Sequence, residues 1–430
     1  MKIALGVATY YPKSVGGTEK YVHELAKYLN QNSIETIVIT PTTDSSSVYE
    51  YEGYQVHTFS VPKEFNDDEI QGKTICRGYE GFENIIKKFA PTVFHLHTLS
   101  IPLSTYHLEI VKNLDIHTIF TAHIPGTFCP KGDLITHQDK VCDGKLEADK
   151  CGYCYAKWRH KNSFLGEITG RLSQSNTLSQ LLSSKLPQLS IAQKKIQSLE
   201  HLQQNTSLVI PVCQWLYDMF VLNGFSKNQL RICRQGVMTS ENQKIRQEKT
   251  DDVIKIGFLG RLSPEKGLHN LLDAFLKANL PNLELHLVVI KLEFYDNYEY
   301  FEKIDKMVEL SDKIYYQENM PSHLVNHFLD SIDVLAVPSI CLETGPLTVY
   351  EALQRKVPVV GSNIGGIKEL IEDNKTGLLY NFNDIDALKT IFINISKHPS
   401  ILGSLRKNIS TVRSVEDVGE EMAMIYQQMI

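Results

Sequence analysis

The sequence predicts an α/β protein built from two doubly wound parallel sheets, and three observations lead to this fold class. The chain has 430 residues, which is too many for one hydrophobic core and suits two domains. Short apolar segments alternate with amphipathic helical patterns along both halves. A polar stretch, residues 239–252, separates the halves and is predicted to be a linker. We therefore expect one domain over 1–238, a second over 253–410, and a cleft between them.

The predicted strands are short, apolar and rich in branched residues, and they alternate with helical periodicity as in a Rossmann-like fold. In the first half they lie near residues 2–8, 34–40, 54–60, 92–97, 117–122 and 207–212. In the second half they lie near residues 253–259, 283–290, 313–316, 332–337, 357–360 and 377–380. The final segment, 411–430, carries an apolar helical stripe, and we expect this helix to pack back on the N-terminal domain.

The composition is that of an ordinary globular protein. Hydrophobic residues make up 42% of the chain and charged residues 22%, and the net charge of −6 gives no indication of nucleic acid binding. No apolar run approaches the ~18 residues of a membrane span, and Met1 leads directly into a predicted strand. We therefore expect a cytoplasmic protein without a signal peptide.

Two glutamates, Glu343 and Glu351, lie on either side of a predicted strand-to-helix junction. Pro346 is predicted to be the first helical residue, because a missing N–H costs nothing there. The amides of Leu347 and Thr348 would then lie at the positive end of the helix dipole, where a phosphate binds readily. Taken alone, this spacing is also compatible with two solvated surface glutamates.

The residues around Pro346 complete this predicted anion site. Thr344 or Gly345 can cap the helix, and Glu343 precedes the helix, close to any group that binds there. Glu351 lies in the second turn, where a carboxylate suits the hydroxyls of a ribose.

A cationic junction follows the strand predicted near residues 253–259. Ser263 can cap a helix whose first residue is Pro264, which puts Lys266 in the first turn, against the helix dipole. A cation there is explained if an anion lies between Lys266, Arg261 and the helix amides. The forked guanidinium and the compact ammonium together suit a diphosphate, and two solvated cations are the alternative interpretation.

Two glycine pairs and two histidines mark further loops after predicted strands, at the edge where α/β folds bind ligands. The pairs are Gly365–Gly366, which opens another helix, and Gly16–Gly17, which precedes an amphipathic helix. Glycines there would let a ligand approach the backbone closely. His97 and His123 end two strands of the first half, although single histidines of this kind are more often packed or solvated than catalytic.

These loops carry motifs that are specific in their order and spacing. The second half has Gly-Arg-Leu-Ser-Pro-Glu-Lys-Gly at 260–267, Glu-x7-Glu at 343–351, Pro-Val-Val-Gly-Ser-Asn-Ile-Gly-Gly at 358–366 and Asn-Lys-Thr-Gly-Leu-Leu at 374–379. The first half has Gly-Gly-Thr-Glu-Lys at 16–20 and Thr-Ala-His at 121–123. In these motifs the chain resembles, over nearly its whole length, a retaining nucleotide-sugar glycosyltransferase of family 4. The resemblance implies two Rossmann-like domains in the GT-B fold.

The resemblance implies a role for each of the singled-out side chains. Arg261 and Lys266 would hold the diphosphate of the donor, and Glu351 would hold its ribose. Glu343 would face the donor sugar and the reacting centre, and His123 would touch that sugar. Glu343, His123, Arg261 and Lys266 are therefore the expected catalytic residues.

The resemblance also places backbone groups at the donor. The family commonly has Phe-Gly after the first glutamate, whereas this chain has Thr344-Gly345-Pro346, which leaves the following two amides available. Glycines 16 and 17 would let the backbone approach donor or acceptor. The donor-binding residues that the resemblance implies are Gly16, Gly17, Arg261, Lys266, Gly345, Pro346, Leu347, Thr348 and Glu351.

The implied reaction moves a sugar from a nucleoside-diphosphate sugar to a hydroxyl acceptor, a sugar or a lipid-linked glycan, in surface polysaccharide or glycolipid assembly. A retaining, front-face transfer needs a stabilised leaving diphosphate and a positioned hydroxyl, and no catalytic metal is expected. Two alternatives stay open. A sugar-nucleotide epimerase would need acid–base groups on both sides of the sugar, and a non-catalytic nucleotide-sugar-binding subunit would bind without turnover.

Four cysteines lie in one long predicted loop over residues 127–155, the last two with Cys-x2-Cys spacing. A cytosolic chain disfavours disulfides, whereas four thiolates suit a tetrahedral zinc ion that would hold the loop. Labile disulfides and unbound thiols are the alternatives. The predicted structural zinc ligands are Cys129, Cys142, Cys151 and Cys154.

The segment 155–195 is predicted to be helical and basic. It contains seven lysines and arginines against one acidic residue, Glu167, and leucines are interleaved with them. This pattern describes either a solvated helical face or a contact with a membrane surface, since anionic lipid attracts basic residues. A peripheral position on the membrane is therefore one expectation for the protein.

Overall fold

The computed structural model describes residues 1–14, 16–161, 163–175, 190–238, 253–291 and 298–430. The chain divides into two compact units. The N-terminal unit comprises Met1–Gln235 and Val415–Ile430, and the C-terminal unit comprises Gly236–Ser414. The predicted linker, 239–252, lies outside the described residues, as do the interleaved leucines of the basic segment, Leu178, Leu181, Leu182, Leu186 and Leu189.

The N-terminal unit contains a seven-stranded sheet with the order β3-β4-β2-β1-β5-β6-β7. Its strands are β1 Lys2–Gly6, β2 Glu35–Thr42, β3 Val48–Tyr51, β4 Tyr54–Ser60, β5 Val93–Leu96, β6 His117–Ala122 and β7 Leu208–Pro211. Neighbouring strands run parallel except at the edge, where β3 is antiparallel to β4. The strand β3 is not among the predicted strands, because its exposed and half-buried residues lack the apolar run of a buried strand.

Helices alternate with these strands, as predicted. They are α1 Gly17–Gln31, α2 Asp67–Ile70, α3 Tyr79–Phe89, α4 Thr105–Lys112, α5 Ala148–Arg159, α6 Phe164–Ser173, α7 Ile191–Asn205 and α8 Gln214–Leu222. The helix α1 buries an apolar stripe formed by Tyr21, Val22, Leu25, Ala26 and Leu29. Spacing at three and four residues puts these side chains on one face, so the local pattern decides which side of α1 meets the sheet.

The C-terminal unit contains an all-parallel sheet of six strands with the order β10-β9-β8-β11-β12-β13. The strands are β8 Ile254–Arg261, β9 Leu283–Ile290, β10 Ile314–Glu318, β11 Val334–Val337, β12 Val359–Ser362 and β13 Gly377–Tyr380. The helices are α9 Leu268–Ala278, α10 Tyr298–Val308, α11 Val325–Ser331, α12 Leu347–Gln354, α13 Gly365–Leu370, α14 Ile385–Lys397 and α15 Ser400–Asn408. The predicted class, an α/β fold with two Rossmann-like parallel-sheet domains, is confirmed.

Each sheet has one point at which the strand order reverses. In the N-terminal unit it lies between β1 and β5, where Ala4 is paired with Phe94. In the C-terminal unit it lies between β8 and β11, where Gly257 is paired with Leu335. The loops that leave the two strands diverge there, which opens a crevice beyond the carboxyl ends of the strands. The motif loops of the C-terminal unit follow β8 and β11.

The last helix, α16 Val415–Gln428, belongs to the N-terminal unit. Its Tyr426 hydroxyl is 2.7 Å from Nδ1 of His95, a buried residue of β5. A Cβ at Gly419 would lie 2.3 Å from the ring of Tyr28, so this glycine permits the close approach of α16 to α1. Within the described ranges, no helix is long and apolar enough to cross a bilayer.

Candidate active site

The junction between β11 and α12 has the form predicted around the two glutamates, shifted by one residue. Pro346 has extended backbone angles, φ −62° and ψ 124°, and precedes the helix, which begins at Leu347. The fixed φ of proline suits this capping position as well as the first helical one. The amides of Leu347 and Thr348 lie in the first turn, where an α-helix offers its N–H groups no internal acceptor.

Lys266 and Glu343 form a half-buried ion pair at the strand reversal of the C-terminal unit. The Nζ of Lys266 is 2.5 Å from Oε1 of Glu343, and the two side chains are 20% and 14% exposed. Ser339 donates a hydrogen bond from its hydroxyl to the same carboxylate oxygen, at 2.8 Å. Sequence reasoning missed Ser339, because one serine after a strand carries no signal of its own.

The turn that carries Lys266 differs from the prediction. Pro264 begins a short 3-10 turn that ends at Lys266, and α9 begins only at Leu268. Gly267, with φ +69°, separates the two, and a Cβ there would lie 2.0 Å from the carbonyl oxygen of Pro338. Lys266 therefore ends a short turn and does not lie in the first turn of α9, and its ammonium contacts the carboxylate of Glu343.

The electrostatics of this pair keep both groups ionised. Burial raises the pKa of Glu343, but the ammonium of Lys266, hydrogen bonds from Lys266 and Ser339, and the charge of Arg261 outweigh burial, so the pKa lies below its usual value. Burial lowers the pKa of Lys266, and the carboxylate of Glu343 more than reverses this. A carboxylate and two cations are thus concentrated at the start of α12.

The remaining predicted residues of the C-terminal unit lie around this pair. Arg261 is exposed at the end of β8 and acts electrostatically on both Lys266 and Glu343. Glu351 lies in the second turn of α12 and is partly exposed. Gly345, with φ +141°, lies in the loop before the helix. The structure therefore brings these residues to one loop cluster.

The glycine pair Gly365–Gly366 packs against the backbone of this cluster. A Cβ at Gly366 would lie 2.6 Å from the amide nitrogen of Gly345 and 2.8 Å from the carbonyl oxygen of Glu343. The Gly366 amide donates to that same oxygen. The backbone of the loop after β11 thus lies directly against the two glycines. Their lack of side chains determines where Glu343 lies.

In the N-terminal unit, His123 is buried beside His97 and Tyr21. Nδ1 of His97 is 3.1 Å from Nε2 of His123, and the ring centroids of Tyr21 and His123 are 4.8 Å apart. Burial lowers the pKa of His123 to about 3 and that of His97 well below its usual value, with nearby histidines contributing to His97. Both rings are therefore neutral near pH 7 and can exchange hydrogen bonds with hydroxyl groups.

Gly16 and Gly17 lie where α1 begins. Gly17 is the first helical residue, and a Cβ at Gly16 would lie 2.6 Å from Oε2 of Glu19. Glu19 accepts hydrogen bonds from the hydroxyls of Thr9, at 2.5 Å, and Ser14, at 3.3 Å. The carboxylate therefore ties the loop after β1 to the first turn of α1, and Gly16 leaves room for it.

The predicted zinc site is not supported by the structure. The four cysteines are free thiols, and within the described residues no group of three or more histidine, cysteine, aspartate or glutamate side chains is arranged to hold a metal ion. The four residues concerned are Cys129, Cys142, Cys151 and Cys154.

The segment around these cysteines is ordered by hydrogen bonds that the sequence analysis did not foresee. Asn223, which follows α8, accepts from the Leu146 amide at 2.8 Å and donates to the Gly144 carbonyl at 2.9 Å. The Thr136 amide donates to the Lys140 carbonyl at 2.7 Å, closing a turn. Hydrogen bonds of this kind satisfy the backbone N–H and C=O groups of a long connection, so a metal is not needed to order it.

Comparisons with known proteins agree with the fold and the loop cluster. Residues 239–411 match the family described as Glycosyl transferases group 1, and residues 15–141 match Glycosyltransferase Family 4. Together with the two parallel-sheet units, these matches define the class as GT-B glycosyltransferases. The chain belongs to this class, with a family 4 N-terminal domain and a group 1 C-terminal domain.

Solved structures with the same fold align over the whole chain. Sucrose-phosphate synthase from Thermosynechococcus elongatus aligns with a TM-score of 0.70 at 17% identity, covering 99% of this chain and 98% of that one. Anabaena Alr3699/HepE in complex with UDP-glucose aligns with a TM-score of 0.65 at 15% identity, covering all of both chains (100% each). At sequence identities this low, the structural similarity shows a shared fold and no more than that.

Sequence relatives match over part of this chain. The putative colanic acid biosynthesis glycosyltransferase WcaL of Salmonella typhimurium is 22% identical over 238 residues, 53% of this chain and 58% of that protein. An uncharacterized 41.2 kDa protein in the cps region of Klebsiella pneumoniae is 27% identical over 197 residues, 44% of this chain and 52% of that protein. The matched segments thus span about half the length of these relatives.

Proposed function

We propose that the protein is a retaining glycosyltransferase that moves a sugar from a nucleoside-diphosphate sugar to a hydroxyl acceptor in surface polysaccharide or glycolipid assembly. The observation that carries this proposal is the Lys266–Glu343 ion pair at the start of α12, with Arg261 nearby. Cations and helix amides in one place suit a diphosphate, and a carboxylate held ionised beside them suits a reacting sugar.

The donor would lie across the loop cluster of the C-terminal unit. Arg261 and Lys266 would contact the diphosphate together with the amides of Leu347 and Thr348. Glu351 would accept hydrogen bonds from the ribose hydroxyls. Solved structures of similar fold contain UDP, UDP-glucose, or ADP with acarbose, which supports a nucleotide-sugar donor for this fold.

The transfer would depend on charge stabilisation and positioning. As the donor bond breaks, the leaving diphosphate gains negative charge, which Arg261, Lys266 and the helix amides stabilise. The sugar gains positive charge, which the ionised Glu343 stabilises, and the leaving oxygen takes the proton of the attacking hydroxyl on the same face. His123 would contact the donor sugar through its neutral ring. The acceptor would bind to the N-terminal unit.

The test is calorimetric titration with UDP, ADP and GDP, followed by kinetics with the matching nucleotide sugar. Replacing Arg261 or Lys266 by alanine should weaken binding of the nucleoside diphosphate. Glu343→Ala should reduce turnover more than donor affinity, and Glu351→Ala should do the reverse. Unchanged nucleotide affinity in both cation variants would overturn the donor site.

The same nucleotide sugar also tests whether the transfer is retaining, and whether the protein is instead an epimerase or a non-catalytic binding subunit. Proton NMR of the sugar released or transferred should show the α anomer first from an α-linked donor. A β anomer would contradict retention. Conversion of the donor to an epimeric sugar nucleotide would show an epimerase, and tight binding without any turnover would show a binding subunit.

We also propose that the helical hairpin formed by α5 and α6 contacts a membrane surface. A glycine from each helix lies at the contact between α5 and α6: a Cβ at Gly152 of α5 would lie 2.8 Å from Oγ of Ser173, and a Cβ at Gly170 of α6 would lie 2.6 Å from the ring of Tyr153. The opposite face is exposed and apolar, with Phe164, Leu165 and Ile168 exposed by 81%, 54% and 43%. Basic side chains flank this face at Lys157, Arg159, Lys161 and Arg171.

An anionic bilayer is the occupant that fits this hairpin. Exposed apolar side chains can enter the interfacial region while lysines and arginines contact lipid phosphates. Glu167 neutralises part of this charge by pairing with Lys157 and Arg171. Co-sedimentation with vesicles of phosphatidylglycerol and phosphatidylcholine should be lost in Phe164→Ser/Leu165→Ser and retained in Leu310→Ser, an exposed leucine of the C-terminal unit. Equal sedimentation of both variants would contradict the contact.

A further inference from the structure

A cavity of about 280 Å3 lies in the N-terminal unit, at the carboxyl ends of β5 and β6. His97 and His123 line it from the strand ends, Lys131 from the loop after β6, and Lys195 from α7. No carboxylate is among the residues that line it. Its volume lies just below the ~300 Å3 at which small-molecule pockets begin, so it suits one sugar-sized polar group.

The two lysines of this cavity differ in their surroundings. Lys131, 5% exposed, forms an ion pair with Asp133 at 3.4 Å. Lys195 donates a hydrogen bond to the carbonyl oxygen of Gly126 at 2.7 Å, and no carboxylate of the described residues lies within ion-pair distance of it. Burial lowers the pKa of Lys195. Even a half-buried ammonium without a counter-charge is costly, and a bound anion would reduce that cost.

The histidine edge of the cavity offers a different chemistry. His97 is 1% exposed, and its Nε2 has no hydrogen-bond partner among the described residues. Its other ring nitrogen, Nδ1, is engaged with His123. His97 is among the residues that line the cavity, and a neutral imidazole nitrogen can donate to or accept from one hydroxyl group. An unpartnered buried nitrogen of this kind points to a ligand, since such groups are normally satisfied.

We infer that this cavity is the acceptor subsite and that it takes a phosphorylated sugar. Lys195 binds the phosphoryl group, Lys131 adds a second cation beside it, and Nε2 of His97 holds a sugar hydroxyl. A neutral glycan would leave the half-buried Lys195 ammonium without a counter-charge. The role of this cavity as an acceptor subsite rests on the proposed transferase function. The binding of a phosphorylated sugar in the cavity does not depend on that function.

The binding test uses the whole chain without nucleotide, titrated calorimetrically with glucose 6-phosphate, inorganic phosphate and glucose. Glucose 6-phosphate should bind, phosphate alone should bind more weakly, and glucose should bind at least about 10-fold more weakly than its phosphate. Tryptophan fluorescence gives a second signal, because Nζ of Lys131 lies 5.8 Å from the ring centroid of Trp158. Equal binding of glucose and glucose 6-phosphate, or no binding of either, would overturn the inference.

The matched variants are Lys195→Met and Lys194→Met, which are neighbours on α7. Lys194 does not line the cavity. Lys195→Met should lower the affinity for glucose 6-phosphate by at least about 10-fold, while Lys194→Met should change it by less than about twofold. Lys195→Arg keeps the charge and should retain part of the affinity. The same loss in both methionine variants, or in neither, would contradict the assignment.

Failure of the proposed sugar-phosphate subsite can be distinguished from failure of the proposed transferase function. UDP affinity reports on the C-terminal unit, and urea unfolding followed by tryptophan fluorescence checks that the N-terminal unit of each variant is folded. If UDP binds and glucose 6-phosphate does not, the subsite is wrong and the donor site stands. If glucose 6-phosphate binds through Lys195 and no nucleotide binds, the subsite stands and the transferase proposal fails.

Discussion

Lys266 and Glu343 lie 77 positions apart in the sequence and form one ion pair at the start of α12. Each reduces the cost of burying the other, which is why both stay ionised although little of either side chain is exposed. Residues so far apart show no pattern that predicts their contact. The sequence motifs identified both residues as site residues, and only the fold revealed that they are partners.

We expect the pair to be strongly coupled. In a double-mutant cycle of Lys266→Met and Glu343→Gln, followed by urea unfolding and far-UV circular dichroism, the coupling free energy should be about 1–3 kcal/mol, because removing one partner leaves a buried charge. The control cycle uses Lys306 and Glu302, a pair on α10 with side chains 77% and 74% exposed. Its coupling should be below about 0.5 kcal/mol.

The coupling also depends on pH with a defined sign. The pKa of Glu343 is lowered in the folded protein from the ordinary 4.5, so the stabilisation is present above that value. It should be lost as the pH falls through the lower, folded pKa. A coupling that grows on acidification, or that matches the Lys306–Glu302 control at neutral pH, would contradict the buried ion pair.

At the scale of elements, the start of α13 positions the loop that carries Glu343. Gly365 and Gly366 leave no side chain between this helix and the backbone of residues 343–345. The sequence predicted that the pair opens a helix, which is correct. It could not show which backbone comes close, because that depends on how β11 and β12 are paired.

Gly366→Ala tests this packing. Its Cβ would lie 2.6 Å from the Gly345 amide nitrogen, so the loop must shift, and we expect a loss of about 1–3 kcal/mol in stability together with weaker UDP binding. Gly403→Ala in α15 is the control, because no atom lies within 4 Å of its added Cβ. That change should be neutral or stabilise by up to about 1 kcal/mol. Equal effects of the two changes would refute the packing argument.

At the scale of the whole molecule, the two units can be followed separately. The chain has two tryptophans, Trp158 in α5 and Trp215 in α8, and both belong to the N-terminal unit. Tryptophan fluorescence therefore reports the unfolding of that unit. This matters because a chain with two compact units need not unfold in one transition.

The N-terminal unit should lose stability as the pH falls below about 6.5. Burial lowers the pKa of His123 to about 3 and that of His107 to about 4, so between those values and 6.5 the unfolded state takes up protons that the folded state rejects. Each such histidine contributes at most about 1.4 kcal/mol per pH unit. Urea unfolding at several pH values, followed by tryptophan fluorescence, measures this slope.

His107→Gln is the matched variant for this slope. Nδ1 of His107 accepts a hydrogen bond from the Ser104 amide at the start of α4, at 3.1 Å, and a glutamine oxygen can accept the same bond. The variant should therefore keep the helix cap and lose one histidine's share of the pH dependence. An unchanged slope between pH 7 and pH 5 would show that His107 does not contribute.

Much of the molecule was predictable from local patterns. Apolar runs and helical stripes identified twelve of the strands and their alternation with helices, because burial on both faces of a parallel sheet leaves a continuous apolar signature. The half-buried edge strand β3 has no such signature and was missed. The zinc prediction followed from four cysteines in one long loop of a chain expected to be cytosolic, and among the described residues no group of side chains is arranged to hold a metal ion.

The sequence by itself determined the fold class and the loops that carry the site, because strand, helix and turn signals are local and the motifs follow strand ends. Only the tertiary structure decided the contacts: Lys266 with Glu343, His97 with His123, and Lys195 with a cavity that lacks a carboxylate. Strand order and crossovers bring these side chains together across long stretches of chain. The physical reason is that burial and partner choice depend on distant residues, which a local pattern does not contain.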